Sequence, residues 1–394
     1  MTTDLHAVYR DLHQNPELSF EETRTAAIAA RHLEGAGFEV LTGIGRTGVV
    51  GVLRNGEGPT VLLRADMDAL PVLEDTGLDY ASVNVGVMHA CGHDVHVAGL
   101  IGAAEQLSAE RGEWRGTLIA LFQPAEEVGG GAQSMLDDGL YERIPVPDVV
   151  LGQHVGPAPA GALGAHPGPA FASADSIDIT VYGRGGHGSR PETTIDPVVL
   201  AASIVLRLQT IVAREIAPRD TAVVTVGRLV AGTKNNIIPN HAELGLSIRA
   251  YNEDVRTRVI AAVERIARAE SAASGAPEPL IEYAESFPVT VNEPAATERT
   301  SAVFRKAFGE ASVLDPGQVS GSEDVGLLAT AAGAPLVYWI LGGADAQTYL
   351  AAASAGTVET DIPSNHSPFF APVIDPTIDR GVAALVSAAR EWLG

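Results

Sequence analysis

The chain has one cysteine, Cys91, in the run Met88-His89-Ala90-Cys91-Gly92-His93-Asp94-Val95-His96. Thiolate and imidazole both bind transition metals, and the glycine between them lets the backbone turn tightly. A lone thiol is otherwise a small buried hydrophobe, or a nucleophile activated by a neighbouring base. Three imidazoles and a carboxylate close by favour the ligand or the nucleophile over packing alone. Four more segments concentrate polar chemistry: Arg64-Ala65-Asp66-Met67-Asp68, Phe122-Gln123-Pro124-Ala125-Glu126-Glu127, Leu151-Gly152-Gln153-His154 and Asn365-His366-Ser367-Pro368. Together they offer one cysteine, several histidines and carboxylates, a ligand set suited to two neighbouring divalent metals. The adjacent Glu126 and Glu127 can divide the work. One carboxylate stays ionised on a metal, and the other takes the proton of an activated water.

Most of these segments end runs that read as strands. Strand-like runs fall at 38–41, 49–53, 60–63 and 117–122, and helical patterns at 19–35 and 95–107. Ser19 and Glu22 have the spacing of a capping box, and Gly35-Ala36-Gly37 ends that helix. Apolar strands alternating with helices predict an α/β domain with a mixed sheet covered by helices. Active sites in such sheets form in the crevice beyond the carboxyl ends of the strands, where these segments would converge. Residues 156–174 are rich in Gly, Pro and Ala and read as a connector. Beyond it the order becomes β-α-β-β-α-β, with strands at 177–182, 222–230, 242–251 and 280–283 and helices at 197–213 and 255–270. That pattern makes an antiparallel α+β sheet with both helices on one face. From about Phe287 the chain returns to helix and buried strand, at 336–341 and 378–393. The expectation is a catalytic domain of residues 1–174 and 288–394, interrupted by an inserted domain of residues 175–287.

The bulk properties narrow the partners. With 394 residues, two domains are the natural expectation, and 46% hydrophobic residues fill a sizeable core. A formal net charge of −23 disfavours nucleic acid and anionic membranes, which need clustered Lys and Arg. The first thirty residues hold no continuous apolar stretch, and no window approaches a membrane span. One cysteine excludes an intrachain disulfide framework and fits a reducing compartment, so the expected location is cytoplasmic.

The chain resembles the M20 metallopeptidases, in the amidohydrolase branch of hippurate hydrolases, N-acyl-amino-acid aminoacylases and auxin-conjugate hydrolases. The likeness runs essentially end to end and rests on seven motifs in order. They are Arg64-Ala-Asp-Met-Asp-Ala-Leu-Pro71, Met88-His-Ala-Cys-Gly-His-Asp94, Phe122-Gln-Pro-Ala-Glu-Glu127, Gly185-Gly-His-Gly188, Asn236-Ile-Ile-Pro239, Gly321-Ser-Glu-Asp324 and Asn365-His-Ser-Pro368. The resemblance implies that Cys91, His93, Glu127, His154 and His366 ligate two divalent ions, zinc, manganese or cobalt, and that Glu126 is the catalytic base. It makes the inserted domain a lid that also forms a homodimer, with His187 on the oxyanion and Asn236 in reach of substrate. Arg249 matches the position that grips the substrate carboxylate, and Ser322 lines the pocket. The implied reaction splits an N-acyl-L-amino acid, a small-molecule substrate, into a carboxylic acid and an amino acid by way of a metal-bridged hydroxide.

The remaining polar residues have plainer readings. His89 and His96 are expected to support the ligands, as is Asp68, which would orient a ligating histidine. Asp66 stands where other branches place a metal-binding histidine. Asp94 is expected to position His93 or cap the helix that follows, and Glu323 to line the pocket. His6, His13, His32, His166 and His241 have no ligand context and read as surface or turn residues. Val128 and the Ser189-Arg190 pair depart from the branch pattern; Arg190 reads as an ion-pair residue, a dimer residue or a bias toward polar substrates. Competing functions are a metallo-dipeptidase, a cysteine hydrolase with Cys91 as nucleophile and His93 as base, and a non-catalytic binder of acylated amino acids.

Overall fold

The computed structural model describes residues 3–394, which divide into two compact units. The first comprises residues 3–168, Val291–Gly317 and Asp324–Gly394; the second comprises Pro169–Thr290 and the short segment Gln318–Glu323.

The first unit is built on an eight-stranded mixed sheet. Its order is Glu39–Ile44, Gly48–Asn55, Gly116–Gln123, Thr60–Asp66, Val149–Pro159, Leu336–Ala344, Leu163–Gly164 and Val313–Leu314. The strands from Gly116–Gln123 to Leu336–Ala344 run parallel, and the two N-terminal strands are antiparallel at one edge. Strand Thr60–Asp66 lies between Gly116–Gln123 and Val149–Pro159, so the chain leaves it to one side and later returns on the other. That reversal opens a crevice at the strands' carboxyl ends. Val61, Leu62, Leu63, Leu118, Ile119, Ala120, Val149, Val150 and Leu151 are fully buried, which explains why these strands read as unbroken apolar runs. Helix His93–Ala109 packs against the strands and against helices Leu5–Gln14 and Ile374–Leu393. It is buried along most of its length, from His93 to Leu107, and accordingly shows little amphipathic pattern.

The second unit is an antiparallel four-stranded sheet in the order Ala222–Ala231, His241–Ala250, Ser173–Tyr182 and Leu280–Phe287. Helices Pro197–Glu215 and Glu253–Ala273 share one core with Ile177, Ile179, Val181, Leu244, Leu246 and Ile248. The period-two burial along Ser173–Tyr182 is what made this sheet legible as half-buried strands.

Three local expectations are corrected. Helix Thr23–Gly35 starts after Glu22, whose carboxylate accepts from the Phe20 and Ala125 amides, while Ser19 donates its hydroxyl to Asp68 at 2.7 Å. The supposed connector carries strand: Val149–Pro159 continues through Gly156, and Leu163–Gly164 and Gly168–Phe171 follow. Finally, helix Pro197–Glu215 is long and apolar enough to cross a membrane by length and composition. Leu200, Ile204, Leu208 and Ile211 bury one side of it against the sheet, whereas Val199 and Leu206 are exposed.

Candidate active site

Strand ends and tight loops deliver the site. Thr60–Asp66 ends in Asp66, with Asp68 two residues on. Gly116–Gln123 turns at Pro124-Ala125, where Ala125 has a positive φ of 49°, and presents Glu126 and Glu127. A Cβ at Gly131 would lie 1.6 Å from the Pro124 carbonyl oxygen, so this turn admits only glycine there. Cys91 precedes the left-handed Gly92, and His93 opens the helix. His154 comes from strand Val149–Pro159. His366, itself at a φ of +69°, is pinned by its amide donating to the Ala90 carbonyl at 2.8 Å. Asn365 fastens the same loop by donating to the Cys91 and Val155 carbonyls at 3.1 and 3.0 Å.

Ligand atoms from these segments converge. Cys91, His93 and His154 form one group whose atoms lie within 4.8 Å of one another; Cys91, Glu127 and His366 form a second, and His93, Glu126 and Glu127 a third. Cys91 Sγ is 3.4 Å from His154 Nε2, and His366 Nε2 is 3.3 Å from Glu127 Oε2. The structure therefore brings together Cys91, His93, Glu127, His154, His366 and Glu126, which the sequence spreads over 276 positions (366 − 91 + 1).

Backbone and carboxylate contacts set each ring. His154 Nδ1 lies 2.7 Å from the Val155 carbonyl, which can only accept, so Nδ1 carries the proton and Nε2 turns its lone pair toward Cys91. His93 Nδ1 is 3.3 Å from Asp68 Oδ1. Asp68 also accepts from Ser19 and from the Glu126 and Glu127 amides at 3.1 and 3.0 Å, tying both glutamates to one carboxylate. His96 spends both nitrogens, Nδ1 on Asp66 at 2.5 Å and Nε2 on the Val155 amide at 2.8 Å, and so supports the site without a ring nitrogen to spare.

The electrostatics call for a cation. Burial opposes charging His93, yet Asp66, Asp68 and Glu127 outweigh it and push the imidazole up to about 10. Burial would raise Asp66, but Arg64, His93 and His96 hold it well below the usual carboxylate range. Burial, with His96 beside it, holds His154 well below an ordinary histidine. His93 Nε2 and Glu127 Oε1 are buried with no hydrogen-bond partner among the described residues. Donor atoms whose lone pairs face one another amid several carboxylates fit a divalent ion.

No local sequence pattern assigns a role to the charges beneath this cluster. Arg64, fully buried in an otherwise apolar strand, reaches Gln123 at 2.9 Å, Asp66 at 2.5 Å, the Tyr338 hydroxyl at 3.2 Å and Asp324 at 3.3 Å. Asp324 accepts in turn from Gln123 at 2.6 Å and from the Ala132 amide at 2.9 Å, bracing the loop after Glu127. Burial outweighs Arg64 and leaves Asp324 raised to about 6. An arginine inside an apolar run was the available signal, since it must bring its own counter-charges. Three further expectations change. His13 is fully buried, not superficial. Asp94 does not cap the helix, where Gly92 occupies the cap position; its carboxylate meets His13 and accepts from the neighbouring Val95 amide. Glu323 is buried, with its carbonyl accepting from the Thr290 hydroxyl.

The remaining predicted residues belong to the second unit. His187 sits on a two-residue ribbon, Gly186–His187, paired with Ile237–Ile238, and the Gly188 amide donates to the Asn236 carbonyl at 2.9 Å. The ribbon thus makes His187 and Asn236 neighbours. The Ser189 amide donates to His187 Nδ1 at 3.1 Å, which leaves the proton on Nε2. Arg249 Nη1 donates to Ser322 Oγ at 2.7 Å and to the Ser320 carbonyl at 3.1 Å. Arg190 is exposed and lies 3.4 Å from Glu192; Val128, back in the first unit, is exposed as well.

Residues 62–391 match the sequence model of peptidase family M20/M25/M40. The hippurate hydrolase of Campylobacter jejuni subsp. jejuni is 40% identical over 326 residues, 82% of this chain and 84% of the relative. The N-acyl-L-amino acid amidohydrolase of Geobacillus stearothermophilus is 39% identical over 298 residues, 73% of this chain and 80% of the relative. Among solved structures, the Bacillus subtilis YXEP protein, described as a dinuclear metal-binding peptidase of the M20 family, superposes with a TM-score of 0.77 at 30% identity, covering 99% of this chain and 96% of that one.

Proposed function

Because this chain belongs to peptidase family M20/M25/M40, we propose that it hydrolyses the amide bond of N-acyl-L-amino acids to a carboxylic acid and a free amino acid. The observation that carries this reading is Glu126, buried and grouped with His93 and Glu127 beside the cysteine–histidine cluster. Cys91, His93, Glu127, His154 and His366 would hold two divalent ions, for which zinc, manganese and cobalt all suit the mixed donors. Ions bound there acidify a water molecule and polarise the scissile carbonyl.

The chain's own side chains do the rest. Glu126 takes the water's proton and delivers it to the leaving amine. Asp68, through the Glu126 and Glu127 amides, keeps the base and its neighbour in register. His187 donates from Nε2 to the developing oxyanion, the proton location that the Ser189 amide imposes. Arg249 offers its guanidinium to the substrate carboxylate, oriented by Ser320 and Ser322, with Asn236 on the ribbon beside His187 as a further substrate contact.

In this reading the inserted unit is a lid and a homodimer interface. Its apolar exposures support that role: Val199 and Leu206 on helix Pro197–Glu215, and Val223, Leu229 and Val230 on the edge strand Ala222–Ala231. A reducing cytoplasm would keep the Cys91 thiolate available as a ligand. The test is a panel of N-acyl-amino acids, with acyl group and side chain varied independently and several metals added, run beside a dipeptide bearing a free amine. Release of amino acid from the acylated substrates, abolished in Glu126→Gln with metal retained, is expected. Faster cleavage of the dipeptide makes the chain a dipeptidase; binding with no product at long times makes it a non-catalytic binder.

A further inference from the structure

His13 belongs to no part of the proposed chemistry, yet it is fully buried with a carboxylate on each ring nitrogen. Nδ1 lies 2.6 Å from Asp94 Oδ2, and Nε2 lies 3.2 Å from Glu74 Oε1. Tyr9 and Tyr80 pack around the ring at centroid distances of 5.8 and 5.4 Å and seal it from water. A buried carboxylate and a half-buried one, each facing a ring nitrogen of the same enclosed imidazole, are best satisfied when both nitrogens carry protons. Burial works against that charge, but Asp94 and Glu74 outweigh it and push His13 up to about 9.

Each carboxylate belongs to a segment that adjoins a proposed metal ligand. Asp94 directly follows His93 at the start of helix His93–Ala109. Glu74 lies in the irregular stretch 71–87, where it also accepts from the Ser82 amide at 2.7 Å. The next residue, Asp75, donates its amide to the Pro368 carbonyl at 2.9 Å, two positions beyond His366. The grip on that stretch is reinforced beside His13, where the Val83 amide donates to the Gln14 carbonyl and Asn84 donates to the Pro16 carbonyl, both at 2.9 Å.

We infer that His13 is a positioning residue for the metal centre, an internal cationic clamp that sets His93 through Asp94 and the His366 loop through Glu74 and Asp75. The inference rests on the metal-site reading above. Its mechanism is preorganisation: two ligands separated by 273 positions (366 − 93) are referred to one fixed charge on the N-terminal helix Leu5–Gln14.

The test is metal affinity, read apart from turnover. Chelator-stripped wild type, His13→Gln, Glu74→Gln and Leu12→Ala are titrated with Zn²⁺ or Mn²⁺ against a chromophoric chelator, with circular dichroism as the check on folding. Leu12 is buried on the same helix and serves as the control for lost stability alone. The clamp predicts that His13→Gln weakens metal binding about 10- to 100-fold, the usual cost of losing a residue that orients ligands. Glu74→Gln weakens it less, Leu12→Ala leaves it at the wild-type value, and saturating metal returns kcat in His13→Gln. Wild-type affinity in folded His13→Gln overturns the clamp, as does equal weakening by Leu12→Ala. If His13→Gln does not fold, Glu74→Gln decides alone, and wild-type affinity there is the contrary result. Absence of metal binding by the wild type is a different failure: it removes the metal site itself.

Discussion

Two histidines in the two units carry their protons on opposite nitrogens, and in each case one backbone group decides which. His154, buried in strand Val149–Pro159, gives its Nδ1 proton to a carbonyl and keeps a lone pair on Nε2, the state a metal ligand needs. His187, exposed on the ribbon Gly186–His187, receives an amide proton at Nδ1 and keeps a proton on Nε2, the state a hydrogen-bond donor needs. The surroundings differ as sharply. His154 is enclosed by other ionisable side chains and by strand, whereas His187 is held by Ser189 and a two-residue pairing. A cation-binding centre requires atoms fixed before the ion arrives; burial supplies that for Cys91, His93 and His154, and the bonds to Ala90 and Asn365 supply it for the exposed His366 loop. A group that meets substrate must stay accessible, and a glycine-rich ribbon allows it.

Variants in the two regions should therefore fail differently. The largest effect is expected from Glu126→Gln, which removes the proposed base while its neighbours keep their ligand atoms: turnover falls by about 10²- to 10⁴-fold, with metal content measured by elemental analysis unchanged. Parallel loss of metal would instead make Glu126 a ligand. Asp68→Ala comes next. It frees His93 and the Glu126 and Glu127 amides together, so metal affinity should drop about 10- to 100-fold, in a titration where Arg249 variants match wild type. Arg249→Lys should raise KM by about tenfold or somewhat more while largely sparing kcat, the signature of lost charge-assisted substrate binding. Steady-state kinetics checks it; a metal defect in Arg249→Lys would erase the distinction between the regions. The smallest effect concerns pH. His13 is raised from 6.5 to about 9, so the stability it contributes is complete below pH 6.5 and fades as pH climbs through 9. Melting temperatures of metal-free wild type and His13→Gln should converge over that interval, and a constant gap would show that His13 does not titrate there.

Much of this arrangement is written in short stretches of sequence. Runs such as Val61-Leu62-Leu63 and Leu118-Ile119-Ala120 announce strands buried on both faces, and the polar residues placed at their ends announce a crevice. The alternation along Ser173–Tyr182 likewise gives away the antiparallel sheet. Patterning fails where the partner is remote. Ser19 has the spacing of a cap, but Asp68, 49 positions away, takes its hydroxyl. His13 looks superficial because Asp94, 81 positions on, is what makes its burial tolerable. Arg64 and Asp324 are 260 positions apart and meet in a fully buried ion pair. Local periodicity carries no information about such pairings, which exist only once the sheet has closed.

The most direct test of the central claim is an anomalous-scattering map of crystals grown with Zn²⁺ or Mn²⁺. Two peaks per chain are expected, enclosed by Cys91, His93, Glu127, His154 and His366, with the Glu126 carboxylate close by but outside the coordination of either ion. A map without density among those side chains, or one in which Glu126 is itself a ligand, would contradict it.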